Sequence, residues 1–241
     1  MSKVLIADDD INIISSCTNF LTNEKNIEII DVVNNGKDAV TSYKRNKPDV
    51  MVLDLKMPNM GGLEVINELS TETEEKKKNN IIVISGSLSE LQPYNTAKVY
   101  KIIPKPFKMN ELIDTINEIQ ENIDYEYLEK NIDDLFKKLR LPFLSAKGIN
   151  YLKQAVIFCY YDETLFYNIS EVYEMVAKYY ISRNVKPKSV MWSLESIINT
   201  YRKGLNHEYL KNTLVYYDET KSMTPKYLIE LIVIHLRETI K

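Results

Sequence analysis

The chain has 241 residues, 44% hydrophobic and 27% charged, with a formal net charge of −3, and a length above the usual single domain of roughly 100 to 200 residues predicts two domains. Two cysteines, Cys17 and Cys159, are too few for a disulfide framework or a thiolate metal centre, and both sit in apolar helical patterns that predict buried thiols. No apolar run reaches the roughly 18 residues of a membrane helix, and Met1–Ile6 leads straight into three aspartates without the features of a secretory signal, so a soluble, cytoplasmic protein is expected.

Charge divides unevenly. Residues 1–124 carry 14 Lys/Arg against 20 Asp/Glu, and residues 125–241 carry 17 against 14. An acidic first domain and a mildly basic second are compatible with regulation joined to nucleic-acid binding, although the basic excess is small for a reader of DNA.

In chain order, five short apolar runs bounded by turn residues predict buried strands: Val4–Ala7, Ile27–Val33, Val50–Leu55, Ile81–Ser85 and Val99–Ile103. Helical spacing separates them, as in Ile13, Ile14, Cys17, Phe20 and Leu21, or Leu112, Ile113, Ile116 and Ile119. Alternating strands and helices predict a doubly wound five-stranded parallel sheet, whose ligands gather beyond the C-terminal strand ends. Those ends carry Asp8-Asp9, Asp54, Ser85-Gly86 and Lys105-Pro106. Converging carboxylates repel unless a cation joins them, and an oxygen-only set suits a hard ion such as Mg²⁺. A carboxylate such as Asp54 can attack phosphorus, with Lys105 as a point charge, Ser85 as a hydroxyl donor and Gly86 leaving room beside the phosphoryl group. Taken singly, these residues also have plain structural uses: Asp10 as a helix cap, Ser85 as a strand end, Lys105 as a solvated charge.

This constellation resembles the receiver domain of response regulators, which are flavodoxin-like, over residues 1–121. The resemblance rests on Asp8 and Asp9, on Asp54 within VLDLKMPNMGG, on Ser85, and on Lys105 in KPF. It implies Asp54 as phosphoacceptor, Mg²⁺ ligated by Asp9, Asp54 and the carbonyl of Lys56 with Asp8 acting through water, and a histidine kinase or phosphotransferase as donor. Pro58 and Gly62 match the family's loop after the acceptor. The sequence departs from the family at its aromatic switch position, where Ile102 stands. Alternation along the strand places Tyr100 on the face of Ile102, as a partial substitute. The segment between Ser85 and Lys105 is short and contains Pro93, which predicts an irregular fourth helix, and Thr71–Asn80 reads as a solvated loop.

Residues 122–130 read as a polar linker, and 131–241 as an all-helical domain. Helix starts are expected at Ser145, Ser170, Pro187 and Thr224-Pro225, with Gly204 as a C-terminal cap. LPFLSAKGINYLKQAV, ISEVYEMVAKYY, KPKSVMWSLESII and LIELIVIHLRE resemble the effector domain of stage 0 sporulation protein A-type regulators. The resemblance implies a helix-turn-helix, with residues 188–203 as the reading helix and Arg183-Asn184-Val185-Lys186-Pro187 as the turn. Val190, Leu194, Ile197 and Tyr201 should face the core. Ser189, Trp192, Ser193, Glu195, Ser196, Asn199 and Arg202 then face outward, with Arg183, Lys186, Lys188 and Lys203 as further DNA-contact candidates. Where those regulators carry arginines, this chain has Ser189, Trp192 and Glu195, so the inherited operator should not be read. The basic residues have an alternative as a solvated rim, and Trp192 as either a surface contact or part of a repacked core.

The function expected is a phosphorylation-controlled transcription regulator that pairs as a dimer when phosphorylated, not an enzyme, with a link to sporulation. The alternative is a regulator that has lost specific DNA binding and acts by protein contact or phosphate competition.

Overall fold

The computed structural model describes residues 1–70, 80–86, 99–141, 146–214 and 216–240, and the chain divides into two compact units, Met1–Asp124 and Tyr125–Lys241. In the first, β1 (Ser2–Ala7), β2 (Ile27–Val33), β3 (Val50–Asp54), β4 (Ile81–Ser85) and β5 (Val99–Pro104) form one parallel sheet in the order β2-β1-β3-β4-β5. Each strand stands within a residue or two of its expected place, the ordinary uncertainty of element ends. Leu5, Ala7, Met51, Leu53, Ile81 and Val83 face α2 (Gly36–Asn46) and α3 (Gly62–Ser70). Val4, Ile6, Val50, Val52, Ile82 and Ile84 face α1 (Ile11–Leu21) and the first turns of α4 (Met109–Lys138). Helices on both faces explain why the strands read as continuous apolar runs rather than alternating ones.

Tyr100 does not share a face with Ile102. Ile102 packs on the α2/α3 side and Tyr100 on the α1/α4 side. The cause is a register shift: Ile81 pairs with Val99 and Ile82 with Lys101, so the extra residue reverses the side on which Tyr100 emerges. Its hydroxyl accepts a hydrogen bond from Asn122 Nδ2 at 3.3 Å instead of standing beside Ile102.

The polar stretch 122–130 is helical. Helix α4 runs unbroken from Met109 to Lys138 and contains no Gly or Pro to stop it. It ends in a left-handed turn at Arg140 (φ 51°), with Arg140 N–H donating to Lys137 O (3.0 Å) and Leu141 N–H to Phe136 O (3.2 Å), the pairing by which helices commonly close.

The second unit contains α5 (Ala146–Tyr161), α6 (Ile169–Tyr179), α7 (Pro187–Lys203), α8 (His207–Thr213) and α9 (Pro225–Thr239), with α5 packed against α6, α7 and α9 around a single apolar core. Pro187 opens α7 and Thr224 Oγ1 accepts from Tyr227 N–H at 3.1 Å to open α9, as expected. Helix α6 begins earlier, with Asn168 rather than Ser170 at its cap position. Gly204 follows α7 but at φ −109°, outside the left-handed region. Helix α8 carries a single buried residue, Leu210, too weak a pattern to be legible; Asn206 Oδ1 caps it by accepting from Tyr209 N–H at 3.0 Å. Cys17 and Cys159 are buried free thiols. Among the described residues no helix is long and apolar enough to cross a membrane.

The expected solvated loop lies, apart from Asn80, outside the described residues, as do Pro93 with its irregular helix and the Ser145 cap. Asn80 is buried, donating through Nδ2 to the carbonyls of Pro48 (3.2 Å) and Asp49 (3.0 Å) and accepting from Tyr43 Oη (2.9 Å).

Candidate functional site

Strand β1 has β2 on one side and β3 on the other, so the chain's crossovers diverge at the C-terminal ends of β1 and β3 and open a crevice there. Asp8 and Asp9 follow β1, Asp54 closes β3, Ser85 closes β4, and Lys105 follows β5. The sheet order thus assembles the sequence-selected residues at one edge.

Asp8 is 2% exposed and Asp54 5%, and between them stands Lys105, whose Nζ donates to Asp8 Oδ2 at 2.9 Å and to Asp54 Oδ1 at 2.7 Å. The remaining carboxylate oxygens take backbone donors: Asp10 N–H gives to Asp8 Oδ1 (2.8 Å) and Lys56 N–H to Asp54 Oδ2 (2.6 Å). Those amide donors carry no side-chain signature, and the sequence could not announce them. Burial pushes the Asp8 carboxyl above its ordinary value, despite the Lys105 and Asp10 hydrogen bonds. Burial pulls the Lys105 ammonium down, but hydrogen bonds to Asp54 and Asp8 outweigh it and hold the ammonium above the ordinary lysine value. Directly nearby, burial and then the charge of Asp8 push the Cys17 thiol up to about 11, leaving it protonated at neutral pH.

Asp9 is exposed, and one oxygen from each of Asp8, Asp9 and Asp54 lies within 4.8 Å of the others. An octahedral ion with ligands at about 2.0–2.1 Å needs oxygens roughly 3 to 4 Å apart. Small closing movements would bring the three carboxylates to that spacing, and the all-oxygen donor set fits Mg²⁺. Asp10 caps α1, its Oδ1 accepting from Asn12 N–H at 2.8 Å. Ser85 is buried, and a Cβ at Gly86 would meet no described atom within 4 Å.

The loop after β3 is fixed by backbone contact. A Cβ on Gly62 would stand 2.3 Å from Asp54 O, and Gly62 N–H donates to Leu55 O at 2.9 Å. Only glycine permits that approach, which returns the chain against the backbone of Asp54.

On α7, Val190, Leu194, Ile197 and Tyr201 are buried, as their spacing predicts. Trp192 is 57% exposed rather than part of a repacked core, with Lys188 Nζ 5.0 Å from its ring centroid. Lys186, Lys188, Glu195, Ser196, Asn199 and Lys203 are exposed; Ser189 and Ser193 are half-buried, and Ser193 Oγ donates to Ser189 O at 2.8 Å. Arg183 is exposed with its guanidinium 5.6 Å from the Tyr180 ring centroid. Arg202 is exposed, on the outward face its spacing predicts. Its Nε donates to Met223 O at 2.7 Å and a terminal nitrogen reaches Met223 O and Ser222 Oγ, so its guanidinium is engaged within its own unit.

Residues 4–117 match the family described as response regulator receiver domain. Together with the 2-1-3-4-5 parallel sheet and its acidic crevice, this makes the first unit a response regulator receiver domain. A curated relative, the protein-glutamate methylesterase/protein-glutamine glutaminase of Clostridium acetobutylicum, is 30% identical over 145 residues, 58% of this chain and 36% of that protein. The chain therefore matches little more than a third of that relative's length. The REC domain of AraT, a response regulator from Geobacillus stearothermophilus, is 30% identical, covering 52% of this chain and 98% of that one with a TM-score of 0.46. A DNA-binding response regulator of the LuxR family from Staphylococcus aureus is 26% identical, covering 49% and 98%, with a TM-score of 0.43.

Proposed function

We propose that the chain accepts a phosphoryl group on Asp54 from a histidine kinase or phosphotransferase and, in that state, regulates transcription through the α6–α7 helix pair of its second unit. One observation carries the reading: the buried carboxylates of Asp8 and Asp54 are both hydrogen-bonded to the half-buried Lys105 ammonium at the receiver crevice. A structural ion pair needs one carboxylate for one ammonium. The second buried carboxylate, with Asp9 beside it, is excess negative charge that a bound cation relieves.

In the transfer, an Asp54 carboxylate oxygen attacks phosphorus, the P–N bond to the donor imidazole breaks, and its electron pair leaves with the imidazole, which takes a proton. Lys105 can then exchange its contact with Asp54 Oδ1 for a phosphoryl oxygen, while Ser85 offers a hydroxyl. Mg²⁺, held by Asp9, Asp54 and the Lys56 carbonyl with Asp8 through water, would neutralise phosphoryl charge. The Lys56 amide keeps Asp54 oriented. Ile102, lacking an aromatic ring or hydroxyl, and Tyr100, turned to the other face, leave the family's aromatic switch without an equivalent.

Helix α7 supports DNA contact through Lys186, Lys188 and Lys203 with Arg183 to phosphates, and Ser189, Trp192, Ser193, Ser196 and Asn199 toward bases. The resemblance to sporulation-type effector domains supports this, and phosphorylated receivers pairing as a homodimer would present two such helices to half-sites. Loss of arginines at Ser189, Trp192 and Glu195 predicts a different operator. The exposed Trp192 favours a second reading, in which α7 docks a protein and the regulator acts without specific DNA binding. Gel-shift titration of phosphorylated protein over a salt series separates the two. Salt-dependent preference for one duplex over random DNA supports transcriptional output; no preference, with unchanged behaviour of Lys188→Ala, supports protein docking.

A further inference from the structure

Where α4 ends, the second unit contains a cavity of about 370 Å³, within the range of small-ligand sites. Leu139, Leu205 and Leu210 line it with Tyr201, Tyr209 and Arg140, beside Gly204 and the polar Thr200 and Asn206, whose side-chain oxygens bond Ser196 O and Tyr209 N–H. Both tyrosine hydroxyls are committed elsewhere: Tyr201 donates to Leu139 O at 3.1 Å and Tyr209 to Lys138 O. Their rings and the leucines therefore offer apolar surface. Arg140 is the lining's charged group, its guanidinium 5.3 Å from the Tyr209 ring centroid, and among the described residues it has no carboxylate partner.

Arg140 occupies the left-handed position that closes α4, with φ 51°, where helices ordinarily place glycine or asparagine. Lys47 takes the same left-handed conformation (φ 48°) after α2, so such a position accepts a long cationic side chain. What arginine adds there is a forked donor at the mouth of an apolar cavity, the geometry that pairs with a carboxylate through two parallel hydrogen bonds.

We propose that this cavity binds a small organic acid, an aryl or medium-chain carboxylate, with its carboxylate on Arg140 and its apolar body among Leu139, Leu205, Leu210 and the faces of Tyr201 and Tyr209. Because Tyr201 belongs to α7 and Leu139 follows α4, such an acid contacts the ends of both helices. The binding itself does not depend on whether α7 reads DNA.

The test uses the full chain, titrated with benzoate, 1-naphthoate and octanoate by calorimetry, with benzyl alcohol as the neutral control. At least one carboxylate should saturate a single site, and benzyl alcohol should bind at least tenfold more weakly. Arg140→Gly and Arg140→Asn, which suit the left-handed backbone, should melt at or above the wild-type temperature while losing at least tenfold in affinity. Absence of saturable binding by all three acids, equal binding of benzyl alcohol, or unchanged affinity in the two folded variants would overturn the assignment.

Discussion

In the receiver unit the important charges are sunk at the strand ends, with Asp8 2% and Asp54 5% exposed around Lys105, whereas in the helical unit the core is apolar and the charges of α7 stand on its outer face. Buried charge must be compensated by fixed partners, here an ammonium and two backbone amides, so chain path and residue identity are tied together. Exposed charge is solvated and carries no such obligation. The crevice chemistry is therefore specified by its architecture, whereas the outer face of α7 can change while the fold stays.

The comparison can be broken most forcefully at the backbone. Gly62→Ala puts a Cβ against Asp54 O, which stands 2.3 Å from its ideal position; we expect a loss of about 2–3 kcal/mol in urea unfolding, the scale of a serious overpacking. Phosphoryl uptake should fall with it, because the loop also carries the Lys56 amide. A loss under about 0.5 kcal/mol would show that the loop yields freely and that the receiver is less tightly specified than its contacts imply.

Arg202→Ala sharpens the other side. If Arg202 serves its own unit through Met223 O, removal should cost about 1–2 kcal/mol of stability, and the salt dependence of duplex binding should hardly move. A stable variant with a reduced salt slope would instead return Arg202 to the phosphate contacts.

A smaller effect separates the units by pH. Burial and then the Lys138 charge hold the His235 pKa below the ordinary histidine value of 6.5, so the unfolded chain binds more protons than the native one just below that value. Its contribution is present above pH 6.5 and is lost as pH falls through the lower folded value. Thermal melts across that window should show the loss, and His235→Gln should flatten it without altering the receiver. The smallest effect belongs to Lys188→Ala: stability within about 0.5 kcal/mol of wild type, but a salt slope shallower by about one if Lys188 holds a phosphate.

The strands were legible because helices on both faces demand continuous apolar runs, and the crevice because Asp8, Asp9, Asp54, Ser85 and Lys105 fall at successive strand ends. Tyr100 was misplaced because one extra residue in the β4–β5 ladder reverses a side chain without leaving a compositional trace. The continuity of α4 through residues 122–130 was missed because a polar stretch of good helix formers looks like a joint. Helical spacing gives the outward direction of Arg202 but not the reach of its guanidinium to Met223 O in the loop before α9. Short α8, with only Leu210 buried, offers no period to detect.

The central claim is that the carboxylate at position 54 is the group that is esterified. Intact-mass spectrometry after incubation with acetyl phosphate and Mg²⁺ tests it directly, comparing the native chain with Asp54→Asn. The account predicts the mass of one phosphoryl group on the native chain and none on the variant; no added mass on the native chain, or equal addition to both, would contradict it.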